Sequence, residues 1–273
     1  MHLKVLSGLL LTLIMLSLAC PAVKAGGPSD RDSMLQAISG DGGDATGRRV
    51  NYYDDDPQTS GYLALPEGDG PFPAVILIHE WNGVVERIEH VADAFAEQGY
   101  IALAADLYSG RIGSSREENM ALVRETRADE DTIIANLNAA VEFVRQQTPS
   151  TGRVATVGWC FGGGVALSYA LGGERHEGTA IFYGSLIDDP EAMQHVHHEI
   201  YGTFAREDRS PALEEVDAFV AAMREAGVEN DVHIYDDVQH GFWLYVDRDP
   251  EHNRPAAEHA WQRLKEYLDR TLN

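Results

Sequence analysis

From about Arg48 onward, short apolar runs alternate with longer stretches in which apolar residues recur every three to four positions. The run 74–79 (AVILIH) is continuously apolar, the pattern of a strand buried on both faces. A second such strand is predicted at 100–107. Shorter strands are expected at 61–65, 154–159, 179–183, 200–204 and 232–235. Between them lie amphipathic segments. Ile88, Val91, Ala92 and Phe95 share one helical face in 86–98, which ends at Gly99. In 129–147 the acidic start suits the positive end of a helix dipole, and Ile133, Ile134, Leu137, Val141 and Val144 form its core face. Further helices are expected at 165–171, begun by a glycine cluster, at 211–226, stopped by Gly227, and at 255–272. Strand and helix alternate without a repeat or a linker. The expected fold class is therefore α/β, a mostly parallel central sheet with helices on both faces. Residues 48–273 make one domain, and the Gly-, Asp- and Ser-rich stretch 26–47 reads as a flexible lead-in.

The first 25 residues follow another pattern. Lys4 precedes an apolar stretch over 5–19, which is short of the ~20 residues that span a bilayer as a helix. Val23-Lys24-Ala25 then offers a cleavage site before Gly26. This predicts a cleaved secretory signal and an exported, periplasmic or secreted protein with no membrane span after cleavage. Cutting before Cys20, as in a lipoprotein, is the weaker alternative because Ser17 stands where a larger aliphatic residue is usual. Cleavage would leave one cysteine, Cys160, in an oxidising compartment.

The 273 residues carry 44 acidic against 21 basic side chains, a formal net charge of −23. Such a chain is repelled by phosphate backbones, and no basic cluster offsets this, so nucleic acid is excluded as a partner. Two cysteines exclude a disulfide scaffold and a multi-cysteine metal site. The acidity fits plain solubility and adaptation to high salt equally well. The sequence does not set an oligomeric state.

The chemistry gathers at Gly158-Trp159-Cys160-Phe161-Gly162, between the strand 154–159 and the following helix. This is the strand–turn–helix setting of a G-x-S-x-G elbow, with cysteine in the serine place. Glycines are needed there because the nucleophile's backbone is strained and flanking side chains would collide with sheet and helix. The Phe161 backbone N–H, at the helix start, is a candidate oxyanion donor. Asp208 follows the strand 200–204, and His240 follows the strand 232–235. Cys160, Asp208 and His240 thus stand in the order nucleophile, acid, histidine, each just past a strand's carboxyl end. His240 would take the thiol proton and return it to the leaving group, with Asp208 fixing its tautomer.

Taken together, GWCFGG at 158–163, AVILIHEWNGV at 74–84, DLY at 106–108, G-x-F-x-x-x-D at 202–208, HGF at 240–242 and the closing AAEHAWQRLKEYL resemble the dienelactone hydrolases. The resemblance runs from about Asn51 to the end. It implies an α/β-hydrolase fold that opens a small-molecule ester or lactone through an acyl-thioester, without a cofactor. It also implies that Glu80 helps to switch the cysteine between thiol and thiolate, since a nearby carboxylate raises the cost of the thiolate. Trp81 would supply the second oxyanion N–H. In this family, arginines after the D-L-Y segment and beyond the histidine hold a substrate carboxylate. Here Arg111 comes late after Tyr108, and Leu244 stands where the second arginine is expected. The pocket is therefore expected to be apolar, formed by Phe161, Tyr108 and Trp243, and to suit an uncharged ester or lactone. Two non-enzymatic alternatives remain at this stage: an exported thiol sensor, or a ligand-binding module on a degenerate hydrolase fold. His195, His197 and His198 lack the carboxylate spacing of a metal site, and Asp54-Asp55-Asp56 reads as a solvated turn.

Overall fold

A computed structural model describes residues 28–273, with side chains from Ser33 onward. The expected signal segment 1–25 lies outside the described residues. Eight strands form one sheet: β1 (Arg48–Val50), β2 (Gly61–Ala64), β3 (Phe72–Ile78), β4 (Ile101–Ala105), β5 (Ser150–Trp159), β6 (Gly178–Phe182), β7 (Ile200–Ala205) and β8 (Asn230–Tyr235). Their spatial order is β1-β2-β4-β3-β5-β6-β7-β8. β1 pairs antiparallel with β2, and β2 antiparallel with β4, while every later pairing is parallel. Among the described residues the α-helices are α1 (Pro28–Ser39), α2 (Glu86–Glu97), α3 (Arg116–Arg127), α4 (Glu130–Arg145), α5 (Phe161–Gly172), α6 (Pro190–Met193), α7 (Leu213–Ala226) and α8 (Pro250–Leu272). A mostly parallel sheet with helices on both faces is the predicted architecture.

The continuous apolar runs work as expected, because each strand alternates between two covered faces. Val75 and Leu77 join the core shared with α1, α2 and α8. Ala74, Ile76 and Ile78 join the opposite core, under α4 and α5. A third cluster packs α7 on Ile181, Ile200 and Phe204. β4 and β5 lie on opposite sides of β3, so the chain reverses its direction of travel there, and the carboxyl ends of these strands frame a crevice. Cys160 stands at that crevice. Gly227 closes α7 in the left-handed conformation (φ 74°), as its position past the last apolar residue predicts.

Two expectations change. The flexible lead-in over 26–47 is corrected across Pro28–Ser39, which is helical, with Met34 and Ile38 fully buried. Four apolar residues among polar neighbours gave little periodic signal, and it is α2 that supplies their partner surface. The segment Arg116–Arg127, not anticipated as a helix, is α3, capped by the Ser115 side chain accepting from the Glu118 N–H. Only Asn119 and Leu122 are buried in it, so it lacks a broad apolar stripe.

Candidate active site

The β5–α5 turn places the nucleophile. Cys160 has φ +53°, in the left-handed region that non-glycine residues seldom occupy. The turn fits only because its neighbours lack side chains. A Cβ on Gly162 would lie 2.1 Å from the Ile78 carbonyl oxygen, and one on Gly158 would lie 2.1 Å from that of Gly162. The Cys160 N–H donates to the Phe182 carbonyl at 2.9 Å, tying the elbow to β6. Phe161 begins α5, so its N–H has no partner one helical turn back. Beyond β3, the Gly83 N–H donates to the Glu80 carbonyl at 3.4 Å. That turn does not use the Trp81 N–H, and Trp81 lines the same cavity as Cys160 and Phe161.

Asp208 and His240 come from the loops after β7 and β8. His240 Nδ1 lies 2.7 Å from Asp208 Oδ2, and the Asp208 side chain is only 5% exposed. The other Asp208 oxygen accepts from the Ser210 N–H at 3.0 Å, which fixes the carboxylate. Burial by itself would lower the pKa of His240. Its hydrogen bonds to Asp208 and Cys160 outweigh burial and push it up to about 10. The ring also packs against Tyr183, with 4.9 Å between centroids. The structure therefore brings the Cys160, His240 and Asp208 side chains into contact.

Glu80 is 4% exposed and does not line the cavity. Burial pushes its carboxyl up, against the opposing pull of the Tyr245 hydroxyl and of His240. Three residues expected at the substrate stand elsewhere. Tyr108 is fully buried, and its hydroxyl donates to the Trp81 carbonyl at 3.2 Å. Trp243 is likewise fully buried and stacks on Trp159 at 5.5 Å, so it braces the histidine loop against the elbow strand. Arg111 pairs with Glu125 at 2.8 Å and lines a separate cleft. Each is an anchor of the site's frame and does not line the cavity.

The cavity over Cys160 has a volume of 810 Å³. α3 roofs it with Arg116, Met120, Val123, Arg124 and Arg127, and Arg209 adjoins from the acid loop. Among the described residues none of these four arginines is paired with a carboxylate. The cavity is mostly apolar, as expected, but it is not uncharged: Leu244 is buried outside it, and positive charge comes from α3 and Arg209. The spacing 116, 120, 123/124 and 127 is a single helical stripe, the one signal in the sequence that could have shown it. Tyr183 and Ser185, after β6, also line the cavity and carried no motif.

Of the histidines at 195–198, His195 and His197 are exposed and His198 is built into the fold. His198 Nε2 and His176 Nε2 lie 2.8 and 2.9 Å from the Thr179 hydroxyl. Among the described residues, no group of three or more His, Cys, Asp or Glu could hold a metal, and no helix is long and apolar enough to cross a membrane.

The profile of the dienelactone hydrolase family matches residues 59–272. Two proteins, each titled "Putative carboxymethylenebutenolidase", are 27% identical. The one from Methylorubrum extorquens aligns over 76% of this chain and 75% of its own length. The one from Saccharolobus solfataricus aligns over 82% and 98%. The solved structure of a dienelactone hydrolase-like promiscuous phosphotriesterase from metagenomic libraries superposes with a TM-score of 0.74. It covers 84% of this chain and 99% of that one at 22% identity, a likeness of fold.

Proposed function

The chain belongs to the dienelactone hydrolase family, whose members hydrolyse ester or lactone bonds, and from that premise we propose a cysteine mechanism for this protein. Cys160 attacks the carbonyl carbon of a small ester or lactone. The single observation that carries this reading is the 2.7 Å contact between His240 and Asp208 beside a cysteine held at φ +53°.

His240, its pKa pushed up to about 10, already holds the proton shared with Cys160, and in the first step the Cys160 sulfur, as thiolate, forms a bond to the carbonyl carbon. The developing oxyanion sits between the Phe161 and Trp81 N–H groups. Collapse breaks the C–O bond, and the imidazolium gives its proton to the departing alkoxide. Water then attacks the thioester with His240 as base, the C–S bond breaks to release the acid, and the thiolate is left beside the protonated His240. Asp208 keeps the ring oriented and its charged form favoured. Glu80, buried behind the pair, adjusts the charge balance between thiol and thiolate. No step needs a metal or a cofactor.

The four arginines favour a substrate that carries an anionic group, since a guanidinium binds carboxylates in a bidentate, charge-assisted way. Export after cleavage of residues 1–25 is part of the same proposal, and N-terminal sequencing of the mature protein tests it. Hydrolysis of 4-nitrophenyl acetate and of a five-membered lactone tests the chemistry. Wild-type turnover that drops to background in Cys160→Ala supports the cysteine mechanism. Equal rates in both proteins would refute it.

A further inference from the structure

A second cleft, of 240 Å³, adjoins the cavity over Cys160 and shares two of its lining residues, Arg127 and Ser185. Its own apolar walls are Ile133 from α4, Val165 from α5, and Leu186 and Ile187 from the loop after β6, with Glu130 and Ser168 also lining it. The two shared residues are joined by a hydrogen bond of 3.3 Å, donated by Arg127 Nη2 to the Ser185 hydroxyl. Both partners are exposed, and Arg127 has no carboxylate partner among the described residues, so little opposes its displacement. Gly164 faces the same point. A Cβ there would lie 3.2 Å from that of Ser185, so glycine keeps the passage open.

The two spaces differ in which end of a substrate they face. Proton delivery to the leaving group requires it to lie near His240, on the side of the cavity formed by Asp208, Arg209 and Ser210. No residue of those loops lines the smaller cleft. With the leaving group on that side, the border of the cavity left to the acyl group is the one formed by Arg127 and Ser185. A volume of 240 Å³ exceeds the ~150 Å³ that accommodates a benzene ring.

Resting on the hydrolase reading, we propose that the acyl moiety of the substrate extends past Arg127 and Ser185 into this cleft. The cleft takes the distal apolar group, an aryl ring or a short alkyl chain. Leu186 is then a specificity-determining residue that does not touch the reacting atoms.

The test compares 4-nitrophenyl acetate with 4-nitrophenyl 4-phenylbutanoate in the wild type, Leu186→Trp and Leu186→Ala. In the wild type the phenylbutanoate should show a kcat/KM about tenfold above that of the acetate. Leu186→Trp should erase this advantage while leaving acetate turnover unchanged, and Leu186→Ala should also leave acetate turnover unchanged. A binding measurement needs no turnover: calorimetry of 4-phenylbutanamide with Cys160→Ala, with and without Leu186→Trp, should show about tenfold weakening in the double variant. Equal kcat/KM for both esters, with amide binding indifferent to Leu186→Trp, would overturn the cleft assignment. Amide binding that responds to Leu186→Trp in a protein without esterase activity would support the cleft and refute the hydrolase reading.

Discussion

Cys160, His240 and Asp208 form a chain in which each member sets the state of the next. A pKa of about 10 means that His240 binds its proton more tightly in the folded chain than in the unfolded one, where it titrates near 6.5. Its contribution to stability is therefore complete below about pH 6.5 and is lost as the pH rises through about 10. Urea midpoints measured from pH 6 to 11 should fall over that window, and Asp208→Asn should flatten the fall. The same substitution should lower kcat by about 10³–10⁴-fold, since an amide favours the wrong tautomer. A loss below tenfold would remove Asp208 from the triad. The placement of all three at the carboxyl ends of strands was legible in the sequence because each follows an apolar run. Tyr108, Trp243 and Arg111 were legible as motif neighbours only. Whether a side chain enters a cavity or braces its wall depends on packing, and Tyr108 spends its hydroxyl on the Trp81 carbonyl.

At the scale of elements, β2 to β8 and the long helices announced themselves by period, whereas β1, α1 and α3 did not. α3 buries little and earns its place by carrying arginines over Cys160. α1 is held through its carboxyl end. Arg87 donates to the Ile38 carbonyl and to the Leu244 carbonyl, both at 2.8 Å, and pairs with Asp247. The helix is thereby joined to the segment that follows His240. Ile38→Ala removes a fully buried side chain and should cost about 2–5 kcal/mol in urea unfolding. If α1 were a loose lead-in, the cost would be near zero.

Charge is the property of the whole molecule that the sequence revealed most plainly, and its local reversal was the least legible. A net charge of −23 repels an anionic substrate at long range, while the arginines around the cavity attract it at short range. Screening acts first on the distant charges, since the Debye length is ~10 Å at 0.1 M salt. If the arginines dominate, kcat/KM for a carboxylate-bearing ester should fall about threefold from 0.05 to 0.5 M sodium chloride, roughly the change that loss of one short-range attraction produces. A neutral ester of equal size should be indifferent. A rise with salt would mean that the overall negative charge governs approach.

The acyl-thioester on Cys160 is the species on which the mechanism stands or falls. Rapid quenching of the wild-type protein with a slowly hydrolysed ester, followed by peptide mass analysis, reads it directly. The expected result is an acyl group on the peptide containing Cys160, appearing before product and decaying as product forms. Turnover with Cys160 unmodified throughout, or an acyl group on another residue, would contradict the cysteine mechanism.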